Sequence, residues 1–231
     1  MKLKADAVLF DKDGTLFDFG ATWNVWIAKV IEDLSEGDVF KAQAMADAAR
    51  YDLTEMVYLP DSPIIAGTNR EAAECLAVAL PDWSVDDLEV YLMKSSAQAP
   101  LVEAAPLVPL LARLSAMDLS LGVMTNDTEY GARSHLRFAG VEGMFDFIAG
   151  FDSGYGAKPS PAPLLAFAHG MGHPPERVVM VGDSTHDLEA GRAAGMLTVG
   201  VLTGPAGAED LASLADVVLP DIGHLPEWLQ A

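Results

Sequence analysis

Two aspartates separated by one residue close a short apolar run in A-V-L-F-D-K-D-G-T-L-F-D, residues 7–18. The run reads as a buried strand. Because side chains alternate along a strand, a D-x-D ending brings both carboxylates, Asp11 and Asp13, to one face. Paired acids can divide the work: one stays ionised as nucleophile or metal ligand while the other handles protons. Lys12 points to the opposite face and reads as a solvated or edge side chain. Gly14 lets the chain turn sharply away, and Thr15 reads as a turn residue whose hydroxyl could steady Asp13. An EF-hand calcium loop is excluded. Counting from Asp11, glycine falls at position 4, position 12 is Thr22, and a strand leads into the loop, where that motif needs glycine at 6, glutamate at 12 and a helix.

Three later stretches supply matching chemistry. M-T-N-D (124–127) places Thr125 and Asn126 just ahead of a helix, and a hydroxyl, an amide and a helix N-terminus together suit an oxyanion or phosphate. A-K-P-S-P holds Lys158 in a loop stiffened by Pro159. V-G-D-S-T-H-D follows another apolar run and carries Asp183, with Asp187 one helical turn on and on the same side. Two acids from here with one or two from Asp11 and Asp13 make a hard oxygen site suited to Mg²⁺.

The elements that must position these residues alternate. Strands are expected at 5–10, 119–125, 145–149, 177–182, 196–201 and 215–219. Helices are expected from near Asp127 to Gly140, over 161–171, and from motif V-G-D-S-T-H-D to Ala194 before Gly195. That order implies right-handed βαβ units and a mostly parallel sheet. The segment 19–99 differs. Four stretches, beginning at Trp23, Val39, Asn69 and Val85, carry helical periodicity and are punctuated by Pro60, Pro63, Gly67 and Pro81. The reading is an α/β core from 1–18 and 100–231 with an all-helical cap at 19–99, inserted where such sheets place their sites.

Composition narrows the partners. Fourteen basic residues oppose 34 acidic ones, a formal net charge of −20, which repels nucleic acid and anionic lipid. The insert itself has 14 acidic and 5 basic residues. An anionic substrate would therefore depend on a local cation or metal. The single Cys75 permits no intrachain disulfide and reads as a small core residue. The start M-K-L-K-A-D has no signal-like apolar region, and no apolar run approaches the ~18 residues of a membrane span. A soluble cytoplasmic protein, monomer or homodimer, without nucleic acid or membrane partners, is the expectation.

Taken together, D-K-D-G-T, T-N, the lysine of A-K-P and G-D-S-T-H-D, in this order, resemble the four motifs of the haloacid dehalogenase superfamily. The likeness covers essentially the whole chain. It implies a three-layer, Rossmann-like parallel-sheet core with a helical cap of the C1 kind, as in phosphoglycolate phosphatase and β-phosphoglucomutase-like members. It implies further that Asp11 attacks phosphorus, Asp13 serves as acid and base, and Lys158 neutralises charge. Thr125 and the Asn126 amide would hold phosphoryl oxygens. Asp11, Asp183 and the Asp13 carbonyl would bind Mg²⁺, with Asp187 and Ser184 behind them. The reaction implied is hydrolysis of a small phosphate ester, phosphoglycolate first, with sugar phosphomutase as the alternative within the superfamily.

Plainer readings stand beside these. His186 reads as a surface histidine at a helix start. Trp23, Arg50 and Arg70 are candidate cap contacts to substrate, although a packing tryptophan and solvated arginines are the ordinary reading. The glycines Gly154 and Gly156 lack the order of a P-loop. A phospho-acceptor signalling module also combines Asp, Thr and Lys, but it needs neither the insert nor Asp13.

Overall fold

Every strand-like run read from the sequence is a strand in the computed structural model, which describes residues 3–231. In chain order the elements begin with β1 (Ala7–Phe10) and a π-helical turn at Gly20–Asn24. The cap follows: α1 (Val25–Ser35), α2 (Val39–Ala49), a small hairpin of β2 (Tyr51–Asp52) and β3 (Val57–Tyr58), α3 (Asn69–Ala77) and α4 (Val85–Ser96). The core resumes with α5 (Leu107–Ser115), β4 (Ser120–Met124), α6 (Glu129–Phe138), β5 (Phe147–Ala149) and α7 (Ala162–Met171). It ends with β6 (Val178–Gly182), α8 (Thr185–Ala194), β7 (Leu197–Val201), α9 (Ala208–Ala212), β8 (Val217–Leu219) and α10 (Leu225–Gln230).

Six strands form one parallel sheet in the order β5-β4-β1-β6-β7-β8. The first strand thus lies in the middle, with Val8 opposite both Leu121 and Val179. Alternation splits its side chains between two cores. Val8 and Phe10 pack with Leu107, Leu111 and Leu114 of α5, Leu136 of α6 and Leu229 of α10. Ala7 and Leu9 face Leu164 and Phe167 of α7 and Ala190 of α8. The result is a helix–sheet–helix sandwich whose strands are apolar on both faces, the pattern of a buried parallel sheet. Nearly all its loops that carry polar motifs leave the carboxyl edge.

A third apolar cluster lies wholly within 19–99 and includes Trp26, Ile27, Met45, Leu76, Leu88 and Leu92. Two strands of chain join this cap to the core, and they pair: Asp18 donates its N–H to Val102 O at 2.8 Å, and Ala104 to Leu16 O at 3.0 Å. Helix α2 stops at Ala49 because Arg50 takes the left-handed conformation at φ 52° and turns the chain into the hairpin. That hairpin is two residues per strand, too short to show a period of two. The helix expected from Asp127 is capped by Thr128, whose hydroxyl accepts from Gly131 N. Cys75 is half-buried and donates its thiol to Ala48 O instead of packing as a plain apolar residue. Among the described residues no helix is long and apolar enough to cross a membrane.

Candidate active site

The motif residues converge because β1, β4 and β6 are neighbours and all end at the same edge. Asp11 follows the last residue of β1, with its N–H on Val181 O of β6. The cleft above it is lined from the core by Asp11, Asp13, Thr125, Asn126, Lys158, Asp183, Ser184, His186 and Asp187. Trp23 reaches it from the cap. Arg50 and Arg70 do not. Both are on the exposed cap surface, Arg50 paired with Asp61 and Arg70 with Glu74, Asp86 and Glu89, so the structure removes them from the substrate contacts expected of the sequence.

Lys158 is the hub. Its ammonium lies 2.5 Å from Asp11 Oδ1 and 2.6 Å from Asp187 Oδ1, and all three side chains are almost wholly buried. The lysine loop is pinned by Asn126. Its side-chain oxygen accepts from Lys158 N at 2.9 Å, while Nδ2 donates to Lys158 O and to Ala66 O of the cap, both at 3.0 Å. The Asn126 side chain therefore holds the loop and touches the cap, a task not legible in T-N alone. Thr125 is buried, and its hydroxyl accepts from Asp127 N.

Asp187 sits at the third position of α8, where an acid suits the helix dipole. Its Oδ2 accepts from Ser184 N and Oγ at 3.1 and 2.7 Å, and Ser184 Oγ caps the helix in return. Asp187 Oδ1, by contrast, has the Lys158 ion pair but no hydrogen bond. Asp183 Oδ1 accepts from Thr15 Oγ1 at 3.3 Å, so the Thr15 hydroxyl serves Asp183 and not Asp13. Two glycines leave space for Asp183. At Gly14, with φ of 80°, an added Cβ would stand 2.3 Å from its carboxylate, and at Gly204 it would stand 1.7 Å away. Thr203 Oγ1 ties this second loop to Gly14 O at 2.6 Å. No sequence motif announces Thr203 or Gly204; they arrive from the loop after β7.

Asp11, Asp183 and Asp187 bring carboxylate oxygens within 4.8 Å of one another. One lysine cannot balance three buried acids. Burial pushes the Asp11 carboxyl up, with Lys158 opposing and Asp187 and Asp13 adding to the rise. Burial also drives Asp183 well up, reinforced by Asp11 and Asp187. At Lys158 burial works against the charge, but Asp11 and Asp187 outweigh it and raise the ammonium above its ordinary range. A hard, oxygen-only donor set with surplus negative charge fits a divalent cation such as Mg²⁺. Asp11, Asp183 and Asp187 are the carboxylates grouped for it, and Asp11 and Asp187 also hold Lys158.

Lys12 is neither solvated nor at an edge. It is fully buried, and its ammonium hydrogen-bonds Asp13 Oδ1 at 2.7 Å and His135 Nδ1 at 3.0 Å and is ion-paired with Asp127 Oδ2 at 3.1 Å. An ammonium only donates, so His135 Nδ1 accepts and its Nε2–H donates to Ser96 O at the end of α4, 2.7 Å away. Burial, then the Lys12 charge, holds His135 down at about 4, in its neutral form. Trp23 covers this group, with the ammonium 5.2 Å from its ring centroid. Asp13 is therefore oriented from behind by a buried cation that also reaches the cap. The sequence places Lys12 beside Asp13, but α6 and α4 supply the partners that explain its burial.

A model of the haloacid dehalogenase-like hydrolases matches residues 5–195. The chain belongs to this family. Phosphoglycolate phosphatase of Aquifex aeolicus is 30% identical over 202 residues, 85% of this chain and 84% of that one. Phosphoglycolate phosphatase of Neisseria meningitidis is 43% identical over 119 residues, 51% of this chain and 50% of the relative. The chain thus spans about half the length of the Neisseria relatives it matches. A solved haloacid dehalogenase family hydrolase from Deinococcus radiodurans, with bound phosphate and sodium, has a TM-score of 0.67 and 26% identity. That alignment covers 99% of this chain and 96% of the other. In this chain the helical segment within 19–99 lines the same cleft as Asp11.

Proposed function

We propose that the protein is a Mg²⁺-dependent phosphomonoesterase acting on a small phosphorylated metabolite through an aspartyl-phosphate. The observation that carries the reading is Asp11 at the cleft floor, held by Lys158, with Asp13 beside it on a separate cation. Asp11 attacks phosphorus as the ester oxygen leaves and takes the proton of Asp13. Asp13 then removes a proton from water, whose oxygen attacks phosphorus and releases phosphate and free Asp11. Lys158 offsets charge on the phosphoryl oxygens, with Thr125 and the Asn126 amide as further donors. Asp11, Asp183 and the backbone carbonyl of Asp13 would hold the divalent ion, which supplies charge neutralisation at Asp11 and the phosphoryl group.

Phosphoglycolate is the first substrate to test, on the names of the curated relatives. The lone Cys75 supports a reducing cytoplasm as the compartment. The experiment is hydrolysis of p-nitrophenyl phosphate with and without Mg²⁺, alongside Asp11→Asn. Mg²⁺-dependent turnover that Asp11→Asn abolishes is expected; activity that survives the substitution refutes the nucleophile.

A further inference from the structure

The cap side of the cleft is mostly apolar, although Thr68, Asn69 and Ser96 also line it, with the Asn69 amide and Ser96 hydroxyl donating to backbone carbonyls. Phe19, Trp23, Trp26, Tyr58, Ile64 and Ile65 line it, and Trp23 and Trp26 meet edge to face at 5.1 Å. Among the described residues lining the cleft, the only ammonium or guanidinium is that of Lys158, and it is committed to Asp11 and Asp187. The other side chain there that can become cationic, His186, belongs to the core side, in the first turn of α8. None of the cap's five basic residues lines the cleft. The acids Asp13 and Asp127 do.

We propose that the ester taken by this site carries an uncharged apolar alcohol, aromatic or branched aliphatic, and not one bearing a carboxylate or a quaternary ammonium. The inference rests on the phosphatase reading above. A carboxylate on the leaving group would enter an apolar wall beside two acids with no free cation, and an unpaired charge in such a place is costly. At the N-terminus of α3 a carboxylate is already present, because Glu71 accepts the Thr68 N–H at 2.7 Å and the Thr68 hydroxyl at 3.0 Å, and a second would meet its charge. A cationic group would meet Trp23 with the Lys12 ammonium already 5.2 Å from the ring centroid. An aromatic or branched aliphatic group instead gains apolar contact from the cap side chains and leaves the Tyr58 hydroxyl as it stands, buried without a hydrogen bond.

The test compares kcat/KM for benzyl phosphate, phosphoglycolate and choline phosphate, all esters of unactivated alcohols, with p-nitrophenyl phosphate as the activity control. Benzyl phosphate is expected to exceed both others by about 10-fold or more. If p-nitrophenyl phosphate turns over while phosphoglycolate or choline phosphate equals or exceeds benzyl phosphate, or while benzyl phosphate is inert, the substrate class is overturned and the phosphatase reading stands. If none of the four is hydrolysed, both fall. Ile65→Arg adds the cation that the wall lacks. Provided it still hydrolyses p-nitrophenyl phosphate, it is expected to shift the ratio toward phosphoglycolate by about 10-fold; an unchanged ratio refutes the electrostatic reason.

Discussion

Replacing Lys12 by methionine tests whether the buried ammonium orients Asp13. Methionine keeps most of the stem's volume and removes the hydrogen bonds to Asp13 and His135 and the ion pair with Asp127. Asp127 is then left buried, its side chain only 8% exposed, without its cation. Removing one partner of a buried ion pair costs roughly 3–5 kcal/mol, which for a chain of this size lowers Tm by about 10 °C. Asp13 also loses the contact that fixes its carboxylate. Misplacement of a reacting group by an ångström can cost on the order of 100-fold in rate. Thermal melts and steady-state kinetics on p-nitrophenyl phosphate read the two effects separately, and kcat is expected to fall with KM little changed. Adding Asp127→Asn removes the stranded charge, so it restores part of Tm but not kcat. A Tm within about 2 °C of wild type, or an unchanged kcat in the folded variant, refutes the positioning role.

Asp13→Asn is expected to form the aspartyl-phosphate but to hydrolyse it at least ~100-fold more slowly, seen as accumulated phosphoenzyme; wild-type turnover would remove Asp13 from proton transfer. Gly204→Ala forces Asp183 aside, because the new Cβ would overlap its carboxylate. It is expected to weaken Mg²⁺ binding about 10-fold or more by calorimetry, with a fold preserved by circular dichroism. His135, held at about 4 against an ordinary 6.5 by burial and by Lys12, takes up a proton on unfolding. Stability therefore falls as pH drops from 6.5 toward 4, by about 2 kcal/mol at pH 5 from this group. Denaturant melts at pH 7 and 5 should show that much less acid sensitivity in His135→Gln; an identical pH dependence would show that His135 is not the titrating group.

The sequence by itself determined the parallel sheet, the inserted helical segment and the four polar stretches at strand ends. Period and punctuation are local properties, and Gly14, Pro159, Ser184 and Gly195 act within a few residues of themselves. It also placed Asp11, Asp13, Lys158 and Asp183 in motifs whose order alone identifies a single edge of the sheet. Only the tertiary structure decided what each side chain meets. Lys12 looks solvated in D-K-D because its three partners come from 127, 135 and its own neighbour, brought together by the packing of α6 against β1 and the cap. Thr15 turned to Asp183, 168 residues away. Gly204 matters because the loop after β7 passes over a carboxylate from β6. Arg50 and Arg70 looked available for substrate, but nearby acids on the cap surface hold them outward. Charge at a distance in sequence has no period. The cation that an acid receives is settled by which elements pack together, and burial then makes that pairing strong.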